Sequence, residues 1–450
     1  MKSAQSDGLF FLVLGILAFI LFGALFRFSA TDSMVDFRML YYGSRTLLEH
    51  SDPYNQQTFS KIVRTEFGES EFMERHPSMA ISINLPTTYF LSAPLALLPF
   101  WLASIIWSLL TAASLTTAAC LVWRIGASYA PILSGVLAGF SLLNGAVVAG
   151  NGNSAGIIVG LCAIAAYCFI TERAAWLGIL CFAVSLIVKP QDAGLLWLFF
   201  LLGGGFARKR ALQAAIIAVL LALPAAFWVS RSAPQWVPEL HSNLVEISAH
   251  GANCDPGPAG LTSKSGTMEV ITDLQAAISV FRDSPSFYNP VAFLICGALF
   301  FVLLVVRLGT GDSSALTWTA LAAITPLTLL VTYHRAYDAR LLLLAIPTCS
   351  MLWAKSGFKG RAAAAVTSTA VFFTGEVPLA FLNPLLHRLH LGAGSLMSKL
   401  GMVLLMRLAP LSLLAMCLFF VWVYGRERRI WQAPILCSTG DREPAPVGRP

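Results

Sequence analysis

The stretch "LFFLVLGILAFILFGALF" at positions 9–26 decides the fold, because none of its side chains is charged or polar. Wound into an α-helix it rises about 27 Å, close to the thickness of the hydrocarbon core of a bilayer. It is longer than the roughly 7–15 apolar residues of a signal peptide, and no clean small-x-small cleavage site follows it. The sequence therefore predicts a retained first transmembrane helix.

Composition extends this prediction to the whole chain. Of the 450 residues, 57% are hydrophobic and 12% are charged, and the mean hydropathy is +0.72. Soluble domains carry about 25% charged residues, and a β-barrel shows short segments of alternating polarity in place of long apolar runs. We expect an all-α polytopic membrane protein.

Apolar segments along the chain predict about twelve spans. The segment at 88–99 is broken by Pro94 and Pro99 and counts together with its successor, because proline ends or kinks helices. An even number of spans puts both termini on one side of the membrane. The segments are centred on 9–28, 88–99, 101–123, 129–148, 154–171, 175–188, 190–205, 211–229, 290–306, 315–332, 341–354, 362–379 and 402–424.

Basic residues orient these spans. Short loops on one face hold many of the lysines and arginines, and the positive-inside rule makes that face cytoplasmic. We predict a multi-pass protein of the cell (inner) membrane with both termini, including a tail at 431–450, in the cytoplasm. The net charge of +7 is then mostly a topology signal, and no nucleic-acid partner is expected. The basic loop residues are Arg124, Arg173, Arg208, Lys209, Arg210, Arg307, Lys355, Lys359, Arg361, Arg426, Arg428 and Arg429.

Four polar clusters, far apart in the chain, fall on the opposite face. Residues 1–430 form one bundle in this prediction, with large extracytoplasmic loops at 30–87 and 230–289 and a shorter one near 380–401. Polar groups that converge on one membrane face indicate a functional site. The clusters are "DFRMLYYGSRTLLEHSDPYN" (36–55), "AGNGNSAG" (149–156), "VKPQD" (188–192) and "TYHRAYDAR" (332–340).

The first cluster predicts an amphipathic helix at the membrane surface, beginning near Ser33. Arg38, Arg45 and Glu49 lie away from its apolar face. Asp36 has two compatible interpretations. With Ser33 it fits the S-x-x-D/E pattern of a capping box, and it is also a candidate catalytic carboxylate at a helix start. The apolar face consists of Met34, Phe37, Leu40, Tyr41, Leu47 and Leu48.

The last cluster, at 332–340, places His334 and Asp338 four residues apart, where they would share one helical face. A hydrogen-bonded pair that orients His334 is favoured over half of a metal site, because no third ligand lies close in sequence, and we expect no metal. The nine cysteines, mostly within apolar runs, indicate neither a disulfide framework nor a zinc site. Arg335 and Arg340 flank the pair and are candidates for anion binding.

Lys189 lies between two apolar segments on the face opposite the basic loops, so the positive-inside rule does not explain it. It is a functional candidate, with snorkelling to the interface as the alternative interpretation. Asn151 and Asn153 offer amide donors and acceptors in a glycine-containing turn. A lone carboxylate, several cations, amides and a surface helix together suit a lipid-linked phosphate substrate.

The order of these motifs resembles glycosyltransferase family 87, polytopic enzymes of the GT-C fold class that use polyprenyl-phosphate sugars. The likeness begins near residue 8 and includes the 36–55 cluster and "APLALLPFWLASIIW" (93–107). It continues through the three later clusters to about residue 350. There are departures from the family pattern. His50 and Ser51 replace the glycines usual before the Asp-Pro-Tyr turn, and the usual Gly-Gln-x-Asn appears as "GNGN" (150–153).

The resemblance implies a GT-C-like bundle and an inverting hexosyl transfer on the non-cytoplasmic face. Asp36 matches the family's first-loop aspartate and would act as general base. The donor would be a polyprenyl-monophosphate sugar, with mannose as the default, the acceptor a glycan or glycolipid hydroxyl, and no cofactor is expected. The residues expected to bind the substrate and its phosphate are Lys189, His334, Arg335, Arg340, Asn151, Asn153, Tyr41, Arg38 and Asp338.

The main alternative is a polytopic transporter or flippase of lipids or small solutes, which would also bury ionisable groups. Two features disfavour it, since the sequence has no convincing inverted repeat and its polar groups gather at one face, away from the midplane. A non-catalytic scaffold is a third possibility, and it would not need Asp36 or Lys189.

Overall fold

A computed structural model describes most of the chain. Parts of the two large predicted loops, most of the predicted loop near 380–401 and most of the predicted tail lie outside the described residues. The ranges described are 2–29, 33–67, 81–261, 271–308, 313–376 and 396–432.

The described residues form a helical bundle. A 3-10 helix at Asp338–Ala345 interrupts the α-helices late in the chain. The α-helices are α1 (Lys2–Ser29), α2 (Val35–Leu48), α3 (Gln56–Phe67), α4 (Pro86–Ala96), α5 (Phe100–Gly126), α6 (Pro131–Leu143), α7 (Val147–Asn151), α8 (Ala155–Thr171), α9 (Ala175–Val188), α10 (Pro190–Leu202), α11 (Gly205–Ser232), α12 (Trp236–Ile247), α13 (Leu274–Ile278), α14 (Pro285–Leu308), α15 (Ser314–Val331), α16 (Ile346–Ala354), α17 (Phe358–Phe373), α18 (Leu396–Met406) and α19 (Leu408–Gln432).

Seven helical segments in the described ranges are long and apolar enough to cross a membrane. They are α1, α5, α6 together with α7, α11, α14, α15 and α19, and the apolar helices α8, α9 and α10 are shorter. The all-α membrane architecture is therefore confirmed, whereas the number of twelve spans stays a prediction. Most predicted segments coincide with one helix, but those at 129–148, 341–354 and 402–424 are each divided in two.

Helix α15 is the centre of the bundle. In its most apolar window 78% of the residues are buried, against 22% in the corresponding windows of α1, α11 and α14. The latter helices therefore expose apolar faces, as expected for helices that meet lipid. The loop 332–337 leaves the central helix directly, so its position is fixed by the most enclosed part of the fold.

Helix α1 packs against α6 through glycines. A Cβ added to Gly15 would lie 2.2 Å from Gly139 Cα, and a Cβ on Gly135 would lie 2.0 Å from the carbonyl oxygen of Gly8. Small residues allow such close approach of backbones, which favours helix association inside a bilayer. Nearer the end of α1 from which the first loop starts, a Cβ added to Gly23 would lie 2.9 Å from the Cβ of Ala149 in α7.

Helix α2 buries its apolar face, as predicted. The ring of Phe37 stacks on that of Trp107 with 4.8 Å between centroids. On the polar side Arg45 Nε contacts Glu49 Oε1 at 3.1 Å. Phe37, Leu40, Tyr41 and Leu47 are buried, together with Met34 just before the helix.

The capping box predicted at Ser33 and Asp36 is wrong. The N-cap is Met34, whose backbone is left-handed at φ 59° and which supplies no side-chain cap. Ser33 therefore lies one residue too early, and its carbonyl oxygen accepts a hydrogen bond from Arg38 Nε at 3.1 Å. The Asp36 carboxylate is directed to a partner outside its own helix.

The two large loops contact each other. Asn243 of α12 donates through Nδ2 to the Tyr54 carbonyl oxygen at 3.0 Å and to the Ser82 carbonyl oxygen at 2.9 Å. Gln56 of α3 donates in turn to Asn243 Oδ1 at 3.0 Å. Hydrogen bonds therefore join segments of the two large loops that lie nearly two hundred residues apart in the sequence.

Candidate active site

A group of four ionisable side chains lies where two short helices meet the 332–338 loop. Lys189 connects α9 to α10, and its Nζ contacts the Asp338 carboxylate and lies 3.4 Å from Asp192 Oδ2. Asp192 Oδ1 lies 3.1 Å from His334 Nε2, in ion-pair contact although not aligned for a linear hydrogen bond. We call Lys189, Asp192, His334 and Asp338 the ion cluster.

The ion cluster is deeply enclosed. Asp192, His334 and Asp338 are 0%, 1% and 2% exposed. Two cations and two carboxylates balance formally, which is the arrangement in which buried charges are tolerated. Lys189 is the most accessible member, with 13% of its side chain exposed.

The surroundings of His334 favour its cationic form. Its Nδ1 lies 2.8 Å from the Thr332 carbonyl oxygen, which can only accept, so this nitrogen carries a proton. Burial lowers the pKa of His334, but Asp192 and Asp338 outweigh it and hold the pKa above the ordinary value. Buried and contacted on both sides, the imidazole has no open edge toward a substrate.

The 332–337 segment is not helical, so the expectation that His334 and Asp338 share a helical face is wrong. Asp338 Oδ2 instead accepts a hydrogen bond from the Arg335 backbone N–H at 2.9 Å. Arg335 pairs with Ile271 in an isolated antiparallel bridge, and the Thr272 N–H donates to the His334 carbonyl oxygen at 3.0 Å. The end of the second large loop therefore holds the segment extended.

Asp36 meets the "GNGN" turn that the sequence singled out. Asn153 donates through Nδ2 to Asp36 Oδ2 at 2.9 Å, while its Oδ1 accepts from the Ala155 N–H at 2.8 Å. The second contact fixes which end of the amide faces Asp36. The Met34 N–H donates to the Gly150 carbonyl oxygen at 2.7 Å and ties the start of α2 to the same turn.

Glycine is required at position 152 of this turn. Gly152 has φ +70°, and a Cβ there would lie 2.7 Å from the Cβ of Phe37. The Trp107 indole N–H donates to the Gly152 carbonyl oxygen at 2.8 Å. Helix α5 therefore helps to hold the turn against the first residues of α2.

Tyr337 lies beside the ion cluster, and its pKa responds to Asp36. Its ring lies 5.1 Å from Lys189 Nζ. Burial raises the pKa of Tyr337 well above its ordinary value, and the Asp36 carboxylate adds to this against the opposing effect of Arg335. Asp36, Arg335, Tyr337 and Lys189 therefore form one neighbourhood, and all four are partly accessible.

Other predicted site residues have different surroundings. Arg340 is 1% exposed, contacts the Ser141 carbonyl oxygen and donates to the Thr374 carbonyl oxygen at 3.1 Å, so it joins α6 and α17 and is not part of the ion cluster. The buried Tyr41 hydroxyl donates to the Leu98 carbonyl oxygen at 2.7 Å. The Arg38 guanidinium lies over the Phe100 ring at 4.6 Å. Asn151 is half-buried at the end of α7.

The sequence interpretation missed Asp192, Tyr337 and the segment 271–273. Asp192 had a signal, because it is a carboxylate three residues after Lys189 inside an otherwise apolar run. Tyr337 stands in the 332–340 motif, but no sequence pattern gives it a role. The contact between Ile271 and Arg335 joins positions sixty-four residues apart, and no local pattern predicts it.

A second ionisable group, in the second large loop, is a candidate metal centre by composition. One ligand atom each of His250, Asp255 and Asp283 lies within 4.8 Å of the others. The buried Asp255 carboxylate, however, already accepts from the Gly251 N–H at 2.7 Å, the Gly257 N–H at 2.8 Å and the Tyr288 hydroxyl at 2.9 Å. These contacts close the loop, so we interpret the group as structural.

Comparison with known proteins adds the family. A family model described as glycosyltransferase family 87 matches residues 83–332, more than half of the 450 residues. No curated protein matches the chain, and no solved structure does. The matched range includes Asn153, Lys189 and Asp192, while Asp36 and the 333–338 residues lie outside it. The chain belongs to glycosyltransferase family 87 and is a membrane glycosyltransferase.

Proposed function

We propose that this membrane glycosyltransferase moves a hexose, mannose by default, from a polyprenyl-monophosphate sugar to a hydroxyl of a glycan or glycolipid. The transfer takes place on the non-cytoplasmic face of the cell membrane and inverts the anomeric carbon. Asp36 is the general base. A GT-C-like bundle with both termini in the cytoplasm belongs to the same proposal.

The observation that carries this proposal is the neighbourhood of Asp36 and Lys189. Asn153 donates to the Asp36 carboxylate at 2.9 Å. The Tyr337 ring lies 5.1 Å from Lys189 Nζ, and the charge of Asp36 helps to raise the pKa of Tyr337. Displacement at a phosphorylated sugar needs a base for the acceptor proton and a cation for the leaving phosphate. Asp36 and Lys189 are placed to supply these two charges.

The proposed reaction is a single displacement. Asp36 accepts the proton of the acceptor hydroxyl while the hydroxyl oxygen attacks the anomeric carbon. The bond from that carbon to the phosphate oxygen breaks, and its electron pair leaves with the polyprenyl phosphate. The transition state resembles an oxocarbenium ion, as in glycoside hydrolysis. Because the departing phosphate is a stable anion, no separate general acid is needed.

Lys189 and Arg335 are the proposed phosphate-binding cations, because both are partly accessible. Charge grows on the phosphate as the glycosidic bond breaks, so cations positioned in advance stabilise the transition state more than the bound donor. His334 is too buried to touch the phosphate. It acts on the reaction only through its contact with Asp192 in the ion cluster. Arg340 is left out of this set because it is enclosed between α6 and α17.

The test is sugar transfer by membranes that contain the wild type or Asp36→Asn, supplied with a polyprenyl-monophosphate mannose. Both transferred mannose and released polyprenyl phosphate are measured. We expect Asp36→Asn to lower turnover about 10³-fold, within the range of general-base catalysis. Glu49→Gln is the matched control, because it makes the same kind of chemical change on an exposed side chain at the C-cap of the same helix and should keep wild-type turnover.

Wild-type activity in Asp36→Asn would remove the base from the proposal. A product that retains the donor's anomeric configuration would remove the single displacement. Lipid movement across the membrane without sugar transfer would favour the transporter interpretation.

A further inference from the structure

The Asp192 carboxylate lies between two cations that come from different parts of the chain. Lys189 Nζ is 3.4 Å from its Oδ2, and His334 Nε2 is 3.1 Å from its Oδ1. Lys189 belongs to the junction of α9 and α10, whereas His334 belongs to the loop that follows the central helix α15. Asp192 therefore joins two segments separated by more than a hundred residues.

Asp192 is too enclosed to contact a substrate. Its side chain is 0% exposed, and the proposed reaction uses neither of its oxygens. Lys189, in contrast, is partly accessible and has the Tyr337 ring beside its ammonium group. Any effect of Asp192 on the reaction must therefore pass through Lys189 or His334.

Asp338 cannot replace Asp192 as the link between Lys189 and His334. One of its oxygens contacts Lys189, and the other accepts from the Arg335 backbone N–H at 2.9 Å. Asp338 therefore draws the ammonium group toward the 332–338 loop, while Asp192 draws it toward the start of α10. The position of Nζ is the balance of these two attractions.

We infer that Asp192 is a positioning residue of the proposed transfer. It holds the Lys189 ammonium group and the His334 ring in place, and so sets how Lys189 meets the donor phosphate. This inference rests on the proposed function, because it assumes that Lys189 binds phosphate. Without the Asp192 charge the ammonium group is held by Asp338 alone and loses its second anchor, and the donor binds more weakly.

The experiment is a double-mutant cycle of Asp192→Asn and Lys189→Gln, assayed for KM of a polyprenyl-monophosphate mannose and for kcat. Native membranes serve as the source of acceptor. We expect Asp192→Asn to raise the donor KM about tenfold with a smaller change in kcat. In the Lys189→Gln background the same substitution should add little, because its route of action is already gone.

Two kinds of control variant separate a loss of positioning from a loss of folding. The double variant Lys189→Gln/Asp192→Asn removes one cation and one carboxylate, so the ion cluster stays formally balanced. Asp192→Asn/His334→Gln is balanced in the same way but keeps Lys189, and it should still show the raised donor KM. Asp255→Asn, an equally buried carboxylate in the second large loop, should keep the wild-type donor KM.

The inference is overturned if the effects of Asp192→Asn and Lys189→Gln simply add. It is also overturned if folded Asp192→Asn/His334→Gln keeps the wild-type donor KM. If Asp36→Asn and Lys189→Gln are themselves fully active, the proposed function fails instead. Loss of activity in those two variants with an unchanged donor KM in Asp192→Asn leaves the proposed function standing and removes the positioning residue alone.

Discussion

Asp36 and Asp192 both lie in the first turn of a helix, and both follow a break in the chain direction, but they have opposite surroundings. Asp36 is half-buried and receives the neutral amide of Asn153. Asp192 is fully buried between Lys189 and His334. A carboxylate enclosed between two cations is a weak base and cannot meet a substrate, whereas a half-buried carboxylate stays accessible to an acceptor hydroxyl. The same functional group therefore suits proton transfer in one region and structural charge balance in the other.

After Asp36→Asn, the largest expected effect comes from removing Lys189, the most accessible member of the ion cluster. Lys189→Gln should lower turnover about 10²-fold or more, because the leaving phosphate loses its cation and Asp192 and Asp338 lose a common partner. Turnover of polyprenyl-phosphate mannose by the folded variant is the measurement. Lys61→Gln, an exposed lysine on α3 in the first loop, is the matched control and should behave as wild type. Turnover within twofold of wild type in Lys189→Gln would contradict the assignment of the phosphate site.

A smaller effect is expected on the Asp36 side. Asn153→Ala removes the amide donor and with it the orientation of the carboxylate, so turnover should fall about tenfold while the amount of folded protein changes little. The exposed amide of Gln57 on α3 provides the control substitution Gln57→Ala. If Asn153→Ala lowers the donor affinity and leaves the rate at saturating donor unchanged, then Asn153 binds the substrate and does not orient Asp36.

The smallest expected effect is a pH dependence of the free energy of unfolding. It comes from Asp273, whose carboxyl is affected by the charge of His334. Burial raises the pKa of Asp273 to about 7, against its backbone hydrogen bond with Ala276 and the charges of His334 and Arg407. Folding therefore favours the protonated carboxyl. This contribution to stability is complete below the unfolded pKa near 3.8 and is lost as the pH rises through about 7.

Asp273→Asn should remove that pH dependence, and asparagine keeps the cap on the Ala276 N–H. Thermal unfolding of both proteins between pH 4 and 8 measures it, and we expect the difference between them to grow with pH in favour of the variant. Parallel profiles would show that Asp273 is ionised in the folded protein at pH 4.

Much of the fold could be predicted from the sequence, because span length and hydrophobic periodicity are local properties. The apolar segments and the buried face of α2 follow from them directly. The convergence of the first loop and the "GNGN" turn was also expected, and the contact between Asp36 and Asn153 is consistent with it.

The partners of individual charges could not be predicted in the same way. The spacing of His334 and Asp338 suggested a helix, but the Asp338 carboxylate captures the Arg335 N–H, and Ile271 holds Arg335 extended. His334 then meets Asp192, which the sequence separates from it by more than a hundred residues. Such pairs depend on the packing of α10 against α15, and that packing is a property of the whole bundle.

The most direct test of the central claim is the structure of Asp36→Asn with a bound polyprenyl-monophosphate mannose. We predict that the donor phosphate contacts Lys189. An oxygen in the acceptor position should lie within hydrogen-bond reach, about 2.6–3.2 Å, of the substituted side chain and face the anomeric carbon opposite the phosphate. A phosphate bound away from Lys189, or a side chain at position 36 directed at lipid with no acceptor path to the sugar, would contradict the account.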